Sequence, residues 1–265
     1  KLYSNAIITW LMIEIKGLHK GFGEEKILKG IDMVFETGKT NLVIGQSGSG
    51  KSVLLKCMLG LFTPDQGSIE YDGTAYEDFT DEQKRELRQE IGMLFQGGAL
   101  FDSMTVEENV MFPLRMFTKK RRRDLVKRVH EVLERVNLED AAKKFPAEIS
   151  GGMQKRVAIA RAIVNKPKYL FCDEPNSGLD PYTATVIDKL IHELTVEYDI
   201  TTVVITHDMN SLLEIGENIA FLKDGVVAWK GDKTQIFKTD DQTVTDFVYS
   251  SDLFKKVREA QNQGL

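Results

Sequence analysis

The octet Gly45-Gln46-Ser47-Gly48-Ser49-Gly50-Lys51-Ser52 carries the most legible chemistry in this chain. Its glycines let the backbone curl so that successive N–H groups face inward on one anion. Lys51 supplies a point charge for the outer phosphates of a nucleotide, and the Ser52 hydroxyl is a ligand for Mg²⁺. A second group is Asp173-Glu174, which follows the apolar run Tyr169-Leu170-Phe171-Cys172. A carboxylate at that strand end can hold Mg²⁺ through its water shell. The carboxylate beside it can polarise an attacking water. His207 closes another apolar run, residues 201–206, on the sheet edge where such folds hold ligands, within reach of a γ-phosphate. Gln96 ends the run 91–95 ahead of Gly97-Gly98, so its carbonyl sits on a hinge where it can bind Mg²⁺ or water.

Ser150-Gly151-Gly152 opens a helix and forms a second anion site, with bare N–H groups, a hydroxyl cap and the positive end of the macrodipole. A single nucleotide could use both helix starts only across two subunits. Phe22 lies between Gly21 and Gly23, upstream of the octet. Its ring either stacks on a base or folds onto the core, and the residues alone leave both open.

The elements that must position these groups follow from periodicity. The β-branched run Thr40-Asn41-Leu42-Val43-Ile44 reads as a buried strand before the octet, and residues 53–60 as a helix after it. Strands are also expected over 12–16, 27–35, 68–71, 91–95, 169–172 and 201–206, with a turn at Gly21-Phe22-Gly23. Residues 81–90 and 105–136 read as helical, the latter broken near Phe117-Thr118, and Pro181 starts another helix. Residues 218–230 read as two strands around Asp224-Gly225. Alternating strands and helices predict an α/β fold with one phosphate loop: a mostly parallel core sheet, an antiparallel β subdomain and a helical subdomain over about 97–165. This nucleotide domain is expected over 12–240, with a helical tail over 241–265. In that tail Val244, Phe247, Val248 and Phe254 form either a docking stripe or a face packed on the chain itself.

Composition narrows the class. At 265 residues, 28% charged and 42% hydrophobic, the chain has ample core for one large α/β domain. A net charge of −5 gives no reason to expect nucleic acid as a partner. The run Lys119-Lys120-Arg121-Arg122-Arg123 reads first as a solvated helix start, and otherwise as a contact for acidic headgroups. Cys57 and Cys172 sit in apolar runs and read as small buried hydrophobes, as in a reducing compartment. No apolar run approaches the roughly 20 residues that cross a bilayer. Residues 1–11 are expected to be a cloning remnant or an upstream extension ahead of Met12.

Taken together, these residues resemble the ATP-binding-cassette (ABC) ATPase family over residues 13 to about 238. Residues 45–52 are similar to its Walker A motif, Gln96 to the Q-loop and Ser150-Gly151-Gly152 to the signature. Asp173-Glu174 resembles Walker B with its adjacent glutamate, Ser177-Gly178-Leu179-Asp180 the D-loop and His207 the H-loop. Phe22 falls where the family places a base-stacking aromatic. The resemblance implies ATP and Mg²⁺ as cofactors, with Lys51, Glu174 and His207 in the catalytic set and Ser52, Gln96 and Asp173 around the metal. It also implies a head-to-tail homodimer in the ATP-bound state. There ATP lies between one subunit's Walker A and the other's signature and D-loop Asp180. A membrane permease is sensed through Gln96.

Where the family signature usually has glutamine, this chain has Met153. That departure, with the stretch from Gln96 to Asp102, Asn109-Val110 and Pro113-Leu114-Arg115, resembles the Mla-type and MCE-associated ATPases. These drive phospholipid movement between the membranes of Gram-negative bacteria. The implied partners are an integral-membrane permease docked near 97–115, a periplasmic lipid-binding MCE-domain protein and, in some members, a STAS-domain regulator. The implied location is the cytoplasmic face of the inner membrane. The alternatives are an amino-acid or metal importer, which predicts glutamine at 153, and a DNA-repair cassette, which predicts a long coiled-coil or zinc insertion. A kinase is the third, and Ser150-Gly151-Gly152 and His207 argue against it.

Overall fold

The computed structural model describes residues 12–249. The expectation for residues 1–11 and the tail residue Phe254 lie outside them. Two long antiparallel strands come first, β1 (Met12–Phe22) and β2 (Glu25–Glu36). Ile13, Ile15 and Leu18 on one, and Leu28, Ile31 and Phe35 on the other, bury a shared apolar face. The chain does not turn at Phe22 as its flanking glycines suggest. Strand pairing carries Gly21 and Phe22 to the end of β1, and the turn falls at Gly23-Glu24. Next come β3 (Thr40–Ile44), α1 (Lys51–Met58), β4 (Gln66–Tyr71) and β5 (Thr74–Ala75). The first sheet has the order β2-β1-β4-β5 and is antiparallel.

After α2 (Asp81–Gln89) and β6 (Ile91–Leu94), three helices follow: α3 (Val106–Phe117), α4 (Arg122–Arg135) and α5 (Gly151–Ile163). Thr80 and Thr105 start α2 and α3 with reciprocal caps from Gln83 and Glu108, satisfying N–H groups that a helix start otherwise leaves open. The basic run lies across the start of α4, exposed, with Arg121 and Arg123 paired to Asp124. The chain then alternates through β7 (Tyr169–Asp173), α6 (Pro181–Glu197), β8 (Thr201–Thr206) and α7 (Met209–Ile215). It ends with the hairpin β9 (Asn218–Lys223) and β10 (Val226–Gly231), followed by α8 (Gln242–Val248).

The second sheet has the order β10-β9-β3-β8-β7-β6, parallel from β9 to β6. Period-two alternation divides its side chains between two cores. Leu42, Ile44, Leu170, Cys172 and Val204 face the helices α3 to α6. Val43, Phe171, Val203 and Ile205 face α1 and the antiparallel sheet. Both cysteines are buried and unpaired. Val244 and Val248 of α8 join the first core, and Phe247 stacks on Phe221 at 4.8 Å. The tail stripe therefore packs on its own chain as far as the described residues reach.

A polar cluster interrupts the packing between α6 and α7. Asp188 is 1% exposed, and burial pushes its carboxyl up to about 6, with Asp208 and Glu214 adding to the effect. The polar side chains of Asn176 and Ser211 beside it offset part of that rise. Folding favours the protonated form here. Its contribution is complete below the ordinary value of 3.8 and is lost as the pH rises through about 6. Across that interval the loss is of order 3 kcal/mol. Asp188→Asn is therefore expected to melt several degrees above wild type near pH 8 and close to it near pH 4.5. Equal offsets in the two thermal scans would contradict the buried titration.

Candidate nucleotide site

A cavity of about 760 Å³ opens at the C-terminal edge of the parallel strands. The register explains why the candidate residues meet there. Ile44 pairs with Thr206, Asp173 with Ile205 and Leu94 with Cys172, so all four strands end at one level. The phosphate loop, Gln96, Asp173-Glu174 and His207 all leave from that edge and all line the cavity.

Gly45 leaves β3 against another chain segment; a Cβ there would lie 2.3 Å from the Leu222 carbonyl oxygen. Gly50 is the residue before α1, at φ 104°, and no side chain caps the helix. Its first N–H groups are therefore open to an anion. Lys51 is buried, and its Nζ donates to the carbonyls of Gly45 at 2.8 Å and Gln46 at 2.9 Å. Burial lowers its pKa, while the charges of Glu174 and Asp173 act in the opposite direction. The Ser49 hydroxyl is buried inside the loop with no partner. Ser47, Gly48 and Ser52 complete this wall.

Glu174 has a left-handed backbone, φ 47°. For a non-glycine residue this costs of order 1–3 kcal/mol. Two contacts hold it: its N–H donates to the Ile205 carbonyl at 2.9 Å, and its Oε1 accepts from His207 Nδ1 at 2.8 Å. A carboxylate oxygen only accepts, so Nδ1 carries the proton in this pair. The carboxyl of Asp173 is pushed up, first by burial and then by the charge of Glu174. A cation between these acids would relieve both effects.

Gln96 donates from Nε2 to the Ser177 hydroxyl at 3.2 Å. Its main-chain carbonyl accepts from Lys155 Nζ, a buried ammonium on α5 whose pKa is lowered by burial. Arg161, two turns further along α5, donates to the carbonyls of Gly98 and Ala99 at 2.6 and 2.8 Å. Sequence reasoning missed both cations. Their signal was position: they flank the apolar run Val157-Ala158-Ile159-Ala160 of α5, yet both reach the hinge carbonyls. Phe247 of α8 also lines the cavity, as do Glu25 and Ile27. Phe22 is not part of these walls. Its ring stands edge-on to Phe62 at 5.1 Å, with the Lys20 ammonium 5.3 Å away.

The remaining candidates form a separate cavity of about 470 Å³. Ser150 Oγ accepts from the Met153 N–H at 3.3 Å and caps α5, leaving Gly151 and Gly152 on the surface of the helix start. Asp180 caps α6 through the Thr183 N–H at 3.0 Å and lines the same cavity. Within one chain these residues do not reach the phosphate loop's cavity.

The donor set suits a magnesium nucleotide. Open amides and Lys51 match phosphate oxygens. The Ser52 hydroxyl, the Asp173 carboxylate and the Gln96 carbonyl are hard oxygen donors in one cavity. Among the described residues no group of three or more His, Cys, Asp or Glu side chains forms a metal cage.

Comparison with known proteins agrees with this geometry. The family model described as ABC transporter matches residues 28–177. The chain belongs to the ABC transporter ATP-binding family. A probable ribonucleotide transport ATP-binding protein, mkl, of Mycobacterium leprae is 39% identical over 236 residues, 89% of this chain and 68% of that protein. The methionine import ATP-binding protein MetN of Clostridium tetani is 42% identical over 226 residues, 85% of this chain and 71% of that protein. Among solved structures, the dimeric form of MJ0796, a bacterial ABC transporter cassette, superposes with a TM-score of 0.75 at 35% identity, over 83% of this chain and 98% of that one. The cassette is an ATPase that uses ATP and Mg²⁺. Its fold is the phosphate-loop cassette with a parallel core, an antiparallel sheet and helices.

Gly45→Ala is expected to weaken ATP binding at least about tenfold and to lower the melting temperature, because the obstructing atom is backbone. Titration with ATP in EDTA reads the first effect. Unchanged affinity would mean that the loop can form without that close approach.

Proposed function

We propose that this cassette is the motor subunit of a membrane transporter and works as a head-to-tail homodimer. ATP would lie between residues 45–52 of one copy and Ser150, Gly151, Gly152 and Asp180 of the other. The separation of the two cavities within one chain supports this reading, because each half of the phosphate chemistry lacks its complement. In this arrangement Glu174 polarises the attacking water and His207 orients it and meets the γ-phosphate. Ser52, Asp173 and Gln96 serve the metal. The observation that carries the catalytic part is the Glu174–His207 contact at 2.8 Å on the cavity wall.

The permease is placed at the α3 end of the cassette, near residues 97–115. Phe95, Phe101 and Met116 are exposed there, and the hinge beside them is tied to α5 by Lys155 and Arg161. No helix among the described residues is long and apolar enough to cross a membrane. The subunit would therefore sit on the cytoplasmic face of the inner membrane through that partner. The cargo is phospholipid, with a periplasmic MCE-domain protein in the pathway and a STAS-domain protein as regulator. Met153 favours this cargo, standing at the foot of α5 where polar-solute cassettes carry glutamine. The similarity to methionine import proteins keeps an amino-acid importer as the second reading.

Glu174→Gln is expected to bind ATP, slow hydrolysis by a factor of about 100 or more and accumulate as a dimer in size-exclusion chromatography. Lys51→Ala should lose most nucleotide affinity. Wild-type turnover by the first variant, or tight binding by the second, would remove the assigned role. For the cargo, the complex is purified from detergent-solubilised membranes of its own host and its partners and lipids are identified by mass spectrometry. An MCE-domain protein carrying phospholipid is the expected result. A periplasmic amino-acid-binding protein in its place would overturn the lipid reading.

A further inference from the structure

The pair Glu174 and His207 must be held at one spacing, and neither side chain is held from the cavity side. Their support lies behind them. Asn176 follows Glu174 by two residues and Ser211 follows His207 by four, and both are buried. Asn176 Nδ2 donates to Ser211 Oγ at 3.0 Å, joining the two segments directly. The carboxylate of Asp188, 1% exposed on α6, lies beside this pair, close enough that both polar side chains act on its charge. We propose that Asp188 is a positioning residue for ATP hydrolysis: from inside α6 it ties the loop after Glu174 to the helix after His207, and so fixes the geometry of that pair. The proposal rests on the roles proposed above for Glu174 and His207.

The loop is tight enough to transmit the restraint. The Ser177 N–H donates to the Glu174 carbonyl at 3.2 Å, and the Leu179 N–H to the Asn176 carbonyl at 3.1 Å. A shift of Asn176 therefore moves the backbone of Glu174, which is already in a strained conformation. On the other side, Asp208 caps α7 by accepting from the Asn210 N–H at 2.8 Å, so Ser211 moves with the residues next to His207.

The charges around the cluster exclude a simple ion-pair role. Asp208 and Glu214 on the α7 side act on Asp188 as like charges. Lys189, its neighbour on α6, faces Glu214 at 4.0 Å. From β7 the nearby group is the buried thiol of Cys172. On α5 the buried ammonium of Lys155 is engaged with the main-chain carbonyl of Gln96. The neighbours that favour the carboxylate's charge are therefore Asn176 and Ser211 rather than a cation. One oxygen of Asp188 and the side-chain oxygen of Asn176 remain buried without partners. An apolar side chain would fill the same position without that desolvation cost, so what the carboxylate adds is direction.

The test uses the full chain, steady-state ATP turnover and calorimetric ATP binding in EDTA. Asp188→Leu is expected to lower kcat about tenfold or more while the ATP Kd stays within about twofold, because displacement of a catalytic group acts on turnover rather than on phosphate binding. Asp188→Asn keeps an oxygen acceptor of the same shape beside Asn176 and Ser211 and should stay within about twofold of wild type. Ser211→Ala, a milder change, should lower kcat about threefold and combine less than additively with Asp188→Leu. If Asp188→Leu fails to fold, the Ser211→Ala result decides. Wild-type turnover by Asp188→Leu overturns the proposal, and so does an Asp188→Asn variant as slow as the leucine. Wild-type turnover by Ser211→Ala would overturn it too. Glu174→Gln run in parallel separates the causes. If it is inactive while the Asp188 series is flat, only the positioning role fails; if it is fully active, the reading of the pair fails with it.

Discussion

Parallel pairing of β6, β7, β8 and β3 in one register is the constraint on which the rest of this molecule depends. Parallel strands all end on the same edge. The loops that leave that edge carry a phosphate cradle, a hinge glutamine, two carboxylates and a histidine. None of these groups is near another in sequence. Hydrophobic burial on both faces of the sheet fixes the register, because a slip of one residue would exchange the two cores. The chemistry is thus located by packing that takes no part in it.

Electrostatics then sorts the groups that the sheet collects. Lys51 is buried and satisfied by two carbonyls of its own loop, so its charge is held in place without a carboxylate partner. Burial and the charge of Glu174 raise the cost of ionising Asp173, and the strained backbone of Glu174 turns its side chain to His207 instead of to its neighbour. The helix start at Ser150 is built by the same rule as the phosphate loop, open amides at a positive helix end, but it faces a different cavity. In the proposed dimer, that separation makes hydrolysis depend on closure, and closure is what a transporter motor passes to a membrane partner.

Most of the fold was legible because its signals are local. Short apolar runs, glycines at turns and a proline at a helix start placed the strands and helices, including the break between α3 and α4. The motif residues were legible for the same reason: each is a fixed type at a strand end or helix start. What the sequence could not give is what depends on distant partners. Phe22 looked like a turn residue, but pairing with Glu25 extends β1 through it and leaves its ring on Phe62. Lys155 and Arg161 read as polar positions on a helix, and only the fold brings the carbonyls of residues 96, 98 and 99 to them. The cluster of Asn176, Asp188 and Ser211 spans three elements, and no spacing rule connects them. Val244 and Val248 were readable as an apolar stripe, but what they would cover was not.

The most direct test of the proposed paired half-sites is the specific ATPase activity of the purified chain as a function of its concentration at saturating MgATP. The account predicts activity per chain that rises with concentration and levels off once the dimer dominates. Activity per chain that stays constant on dilution, with the protein monomeric throughout by light scattering, would contradict it.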